Sequence, residues 1–197
     1  TRYISVTGVQ TCALPIYQVT LASGPVTITT AAAITNQVYN AKVDGARDLT
    51  LAAGTGTITF NAAVGGTNAI GDATGAAITI NSGATTFNST LATASGITSA
   101  ANVTFKDDVT IAAGDTATTL NGNTTFDKAT QLTFTAGGNA TFGDAGTDQV
   151  TLASGPVTIT TAAANTNQVY NAKVDGARDL TLAAGTGTIT FNAAVGG

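Results

Sequence analysis

The chain contains no histidine, methionine, tryptophan or glutamate, and its 197 residues include a single cysteine, Cys12. These absences remove most of the catalytic and metal-binding repertoire. Zinc sites, Ser-His-Asp or Cys-His nucleophile systems and haem ligation all need side chains that are missing. Charge is also scarce: seven Lys and Arg against eleven acidic residues, all aspartate, for a formal net charge of −4. That leaves no basic patch for nucleic acid or anionic lipid, so no nucleic-acid partner is expected. Polar Thr, Asn or Gly interrupts every apolar stretch well short of a transmembrane length, and no membrane insertion is expected in this segment. The near absence of cysteine suits an exported protein without disulfides, and equally a cytosolic one.

The one cysteine sits in VTGVQTCALPI, residues Val6 to Ile16. Read back into codons, this string resembles the primer portion of a short-read sequencing adapter, and Thr1 to Ser5 continue that match in frame. Residues 1–16 are therefore treated as a non-native, adapter-derived segment, excluded from fold reasoning as a processing scar would be. They are expected to pack opportunistically, and Cys12 is assigned no role. The chain has no initiator methionine and stops in mid-pattern, so it reads as a fragment of a longer array whose export signals lie outside it.

From residue 17 onward the chain is rich in Thr, Ala, Gly, Asn and Val, a composition that favours strands and tight turns over helices. Gln18 to Gly66 recurs at Gln149 to Gly197 with one change, Ile34 to Asn165, which gives a 131-residue period. Repeats of this size point to stacked architectures. A position that accepts both Ile and Asn is expected to be largely exposed, because a buried, unpaired amide costs about 1–3 kcal/mol.

Within the unit, apolar-Thr-apolar triplets recur: VTL at 19, VTI at 26, LTL at 49, ITF at 58, ITI at 78, VTF at 103, VTI at 109 and LTF at 132. Alternation over so few residues predicts short, half-buried strands with the apolar residues inward and the threonines outward. Ser23-Gly24-Pro25, Asn81-Ser82-Gly83, Asn121-Gly122-Asn123 and Gly143-Asp144 separate them as turns. Three strands then occupy roughly 20–25 residues, the size of one coil of a parallel β-helix. The fold expected for 17–197 is thus an all-β, right-handed parallel β-helix, or β-solenoid. About six coils per period, at about 4.8 Å each, add roughly 29 Å of rod. The competing fold is a string of Ig-like β-sandwiches, which call for longer strands and a core tryptophan or tyrosine corner. The stretch TTAAAITNQVYNA is the least strand-like and is expected to hold a helical turn.

GARDLTLAAGTGTITFNAAVGGT, NQVYNAKV and TINSGATTFNSTL resemble the repeats of very large bacterial exoproteins of the filamentous-haemagglutinin-like, autotransporter-like group. The pattern Q-x-Y-N-x-x-V is met by Gln37, Tyr39, Asn40 and Val43, and L-T-L-x-x-G-T-G-x-[IV]-T-F-x-x-x-V-G-G by Leu49 to Gly66. The resemblance implies export across the outer membrane, a β-helical stalk, and a role in adhesion or surface coating. It implies glycans or host and neighbouring cell surfaces as partners, contacted through other regions of the parent protein. It carries over no catalytic residue.

Candidate sites are few. Lys106-Asp107-Asp108 is the densest charge cluster; Asp107 and Asp108 are the carboxylate pair on which a carbohydrate-active β-helix enzyme would be built, provided a turn brings both to one side. Asp115, Asp144 and Asp148, with the Gly71-Asp72 turn, are the candidate calcium ligands, although the G-G-x-G-x-D pattern is absent. Asn-x-Ser/Thr sites begin at Asn88, Asn102, Asn123 and Asn139 and arise readily by chance in so threonine-rich a chain. Gly54-Thr55-Gly56 is a turn with no Gly-Lys-Ser/Thr after it to hold phosphate. The expectation is a non-enzymatic stalk segment of a secreted or cell-surface adhesin without a cofactor. The alternatives are the β-helix enzyme and a surface-layer or matrix structural protein.

Overall fold

The computed structural model describes residues 2–5, 18–30, 35–112 and 117–196. Among these the chain is all-β and winds into a β-solenoid of about seven turns. The strand pairs are parallel throughout, for example Val103–Phe105 on Thr124–Phe126 and Leu132–Ala136 on Val157–Thr161. This excludes the antiparallel Ig-like alternative. No helical turn forms in the described part of TTAAAITNQVYNA or in its second copy; Gln37–Tyr39 and Gln168–Tyr170 are strands. Ile34 lies outside the described residues.

Each coil has three faces, visited in a fixed order. The first carries Gln18–Thr20, Lys42–Asp44, Leu91–Thr93, Val109–Ile111, Leu132–Ala136, Val157–Thr161 and Leu180–Ala183, with Val64 bridging Val43 to Leu91. The second carries Val26–Thr29, Ile97–Ser99, Thr118–Leu120, Ala140–Phe142, Gln168–Tyr170 and Ile189–Phe191. The third carries Gln37–Tyr39, Val103–Phe105, Thr124–Phe126, Gln149–Leu152 and Lys173–Asp175. Two long strands, Leu49–Phe60 and Ile78–Phe87, run round the corner from the second face to the third. Arg2–Ser5 lies against Val26–Thr29 on the second face.

The triplets behave as their alternation predicts. Leu49, Leu51, Ile58, Phe60, Ile78, Ile80, Val103, Phe105, Leu132 and Phe134 are buried, and the threonines between them are partly exposed. Their interior forms one continuous apolar core. Aromatic rings stack along the axis on the third face, Tyr39 on Phe60, Phe87, Phe105 and Phe126, at centroid separations of 4.5, 5.0, 5.6 and 5.9 Å. The stack then crosses the interior through edge contacts of Phe134 with Phe126 and Phe142, and resumes on the second face as Phe142, Tyr170 and Phe191. Parallel stacking places like side chains one coil apart, about 4.8 Å, which suits offset aromatic contact.

The crossing has a geometric cause. Gln18–Thr20 lies on the first face, but its copy Gln149–Leu152 lies on the third. The chain returns to the first face five times between them, at Lys42–Asp44, Val64, Leu91–Thr93, Val109–Ile111 and Leu132–Ala136, and then advances two faces more. One period is therefore five and two-thirds turns, not the six whole coils that strand spacing predicts. Every element of the second copy is displaced by one face: Gln37–Tyr39 on the third face becomes Gln168–Tyr170 on the second, and Val26–Thr29 on the second becomes Val157–Thr161 on the first. Register within each copy is unchanged. Val26 pairs with Leu49 as Val157 pairs with Leu180, and Gln37 pairs with Ile58 as Gln168 pairs with Ile189. The turn before each LTL strand is likewise kept. Gly45 and Gly176 adopt φ of 137° and 133°, and a Cβ there would meet the Leu21 or Leu152 carbonyl oxygen at 2.4 Å. Only glycine fits both the backbone and the space.

Candidate functional site

The Lys106-Asp107-Asp108 cluster falls on the corner between the third and first faces, in the turn joining Val103–Phe105 to Val109–Ile111. The next coil presents Asp127 and Lys128 at the same corner. Lys128 Nζ lies 2.8 Å from both Asp107 Oδ1 and Asp108 Oδ1, and Lys106 Nζ is 3.7 Å from Asp127. Asp108 Oδ1 also accepts the Thr133 amide at 2.9 Å, and Asp107 Oδ1 accepts that of Asp108 at 2.9 Å. Ser154, one coil further on, donates to Asp127. The turn thus does bring both carboxylates to one side, as a paired-carboxylate site requires.

What it does with them is neutralise them. The hydrogen bond from Lys128 outweighs partial burial and holds the Asp107 carboxyl below its ordinary value. Burial pulls the Lys128 ammonium down, but its hydrogen bonds and charge attraction to Asp107 and Asp108 together lift it above the usual lysine value. A general acid at neutral pH needs a carboxyl shifted upward, and Asp107 is shifted the other way. A shallow depression of about 300 Å³ lies on the same corner, lined by Ala129, Ser154, Gly155, Pro156, Ala177, Arg178 and Asp179. Neither Asp107 nor Asp108 lines it.

The calcium candidates do not converge. Asp148 Oδ2 accepts the backbone amides of Asp144 and Ala145 at 3.0 and 2.9 Å, so its carboxylate closes its own turn. Asp72 closes another, accepting the Thr74 amide at 3.0 Å and its hydroxyl at 2.6 Å. Asp115 lies outside the described residues, as does Cys12. Among the described residues no three Asp or Cys side chains gather as metal ligands. The four sequon asparagines are occupied: Asn88 donates to Asn61, and Asn102, Asn123 and Asn139 accept the amides of Asn123, Gln149 and Asn167 on the following coil.

These asparagines belong to ladders that triplet spacing does not reveal. Asn40, Asn61 and Asn88 each follow an aromatic residue of the stack and bond amide to amide up the corner, at 2.7 and 2.8 Å; Asn171 and Asn192 repeat this at 2.8 Å. A second device lies inside. Gln168 is fully buried on the second face; its Nε2 donates to the Ile159 and Ala183 carbonyls at 3.1 and 2.9 Å, and its Oε1 accepts the Tyr170 hydroxyl at 2.9 Å. Gln37 and Tyr39 make the same three contacts on the third face. The glutamine spans the core between two coils, satisfying carbonyls that the corners leave unpaired, while the tyrosine satisfies the glutamine. The Q-x-Y motif is therefore a structural clamp, and burial raises both phenols above their ordinary pKa.

Comparison with protein-family models, with curated proteins and with solved structures finds no match.

Proposed function

We propose that the chain is a non-catalytic stalk segment of a secreted or cell-surface bacterial adhesin, a rod that sets the distance between an anchor and a binding tip. The observation that carries the reading is the uninterrupted axial continuity. Each coil is joined to the next by parallel strand pairing on all three faces, by the aromatic stack inside and by asparagine ladders at the corners. Length can then be added by the repeat without redesigning a fold, because each coil contacts only its neighbours. The main charge cluster is internally paired, which supports a scaffold over a carboxylate enzyme.

The five and two-thirds turns add a property useful to a rod. Each further repeat, about 27 Å of axis at about 4.8 Å per turn, is displaced by one face. A feature such as the Lys128 corner then appears on each face in turn and returns after three repeats. Such a rod has no single sticky side, and surface contacts are distributed round it. The test is a series of one, two and three tandem repeats measured by small-angle scattering and electron microscopy. A maximum dimension rising by about 27 Å per repeat at constant cross-section supports the reading; a rising cross-section, or arrays folded back on themselves, refutes it.

A further inference from the structure

The two copies carry one sequence in two environments. In the first, the Leu49–Phe60 strand is covered by Ile78–Phe87, and Val64 pairs with Leu91. Leu51, Ile58, Phe60 and Val64 are there no more than 1 % exposed. In the second copy, Ile189, Phe191 and Val195 are 38, 40 and 53 % exposed. Lacking a cover, the same residues also form two separate short strands, Leu180–Ala183 and Ile189–Phe191, instead of one strand round the corner.

We infer that this edge is a strand-acceptor site for an extended, threonine-rich segment with the spacing of residues 67–91, T-N-A-I-G-D-A-T-G-A-A-I-T-I-N-S-G-A-T-T-F-N-S-T-L. The covered copy supplies the template and its register: Ile78 and Ile80 of the incoming segment set against Leu180 and Leu182, Thr85 and Phe87 against Ile189 and Phe191, and Leu91 against Val195. Asp175 completes the match. Its counterpart Asp44 accepts the amides of Thr67 and Asn68, at 3.0 and 3.4 Å, where the incoming loop begins. The opposite end shows that an edge of this solenoid takes a segment of unrelated sequence. Arg2–Ser5 pairs with Val26–Thr29 in the register that Leu132–Thr135 takes on Val157–Thr160 in the second copy. Backbone pairing supplies the attachment and the apolar spacing supplies the selection. The inference stands whether or not the rod serves adhesion.

A fluorescein-labelled peptide of residues 67–93 added to the full chain tests it, read by anisotropy and amide hydrogen exchange. Saturable one-to-one binding is expected. Exchange should slow at Leu180 and Val195, whose counterparts Leu49 and Val64 donate to the Ala77 and Thr90 carbonyls at 2.9 and 3.0 Å. Phe87→Asp with Leu91→Asp in the peptide, or Phe191→Asp in the chain, should weaken binding by about a hundredfold or more, since each sets a charge in an apolar contact. Appending residues 67–93 after Gly197 through a Gly/Ser linker repeats the test without dependence on peptide solubility. Failure of both formats to protect Leu180 and Val195, or equal binding by a scrambled peptide, overturns the inference. So does protection that rises with chain concentration without peptide, which would assign the edge to a second copy.

Discussion

Replacing Gln168 by leucine tests whether the buried Gln-Tyr pair clamps adjacent coils. The substitution keeps apolar volume but removes the donor to the Ile159 and Ala183 carbonyls and the acceptor of the Tyr170 hydroxyl. Three net hydrogen bonds at about 1 kcal/mol each, with a penalty of about 1–3 kcal/mol for the orphaned hydroxyl offset in part by local water, put the loss near 3–5 kcal/mol. Tyr170→Phe removes one bond and leaves the Gln168 oxygen unpaired, for about 1–3 kcal/mol. The double variant leaves neither the hydroxyl nor the amide oxygen orphaned, so its loss should fall short of the sum by about 1–2 kcal/mol. Gln37→Leu is an internal control, because its partner Tyr39 is only half-buried and water can reach the hydroxyl; its effect should be smaller by about 1 kcal/mol. The assay is urea unfolding alongside site-resolved hydrogen exchange, since a solenoid opens in segments and a single global transition is not assured. Single variants within about 0.5 kcal/mol of the parent, or a strictly additive double variant, would falsify the clamp.

Phe105→Ala opens a cavity at the junction where the stack divides between Phe126 and Phe134, and should cost about 3–5 kcal/mol by denaturant unfolding; a loss under about 1 kcal/mol would mean that the ring column is incidental. Asn165 is exposed at φ 60° and trades hydrogen bonds with Thr186 at 3.0 and 3.2 Å. Asn165→Ile should therefore destabilise the second copy by about 1–2 kcal/mol, a β-branched residue being strained in the left-handed region, whereas Asn165→Gly should be nearly neutral. Asp107 is held below its ordinary pKa, so its pairing with Lys128 stabilises above the unfolded carboxylate value and is lost as pH falls through the folded one. Lys128→Met should raise the acid-unfolding midpoint followed by far-ultraviolet circular dichroism; an unchanged midpoint would show the ion pair to be inert.

Asp48 illustrates how little a charge in the sequence says about its setting. Burial first, and the neighbouring Asp72 second, raise its carboxyl above the ordinary value, while the adjacent Asp44 is fully buried with one oxygen on the amides of Thr67 and Asn68. In the second copy the equivalents Asp175 and Asp179 are partly or fully exposed. Identical residues differ because a covering coil is present in one case and absent in the other. The carboxylate pair at 107 and 108 follows the same logic. Its turn was readable, but the lysine that neutralises it is twenty residues away and arrives only when the next coil stacks.

The sequence by itself determined the strands, their inward and outward faces and the parallel solenoid class, because alternation in a three-residue strand is a local property and the turn residues mark where each strand stops. It also showed the repeat. The tertiary structure decided which face each strand occupies. A strand that runs round a corner, as at Leu49–Phe60, and a face reduced to the single bridge at Val64 look the same in local pattern as an ordinary strand or a loop. Only pairing with the coils above and below distinguishes them, and that pairing sets one period at five and two-thirds turns, turns each copy by one face, and leaves at its uncovered end an edge that selects its own kind of strand.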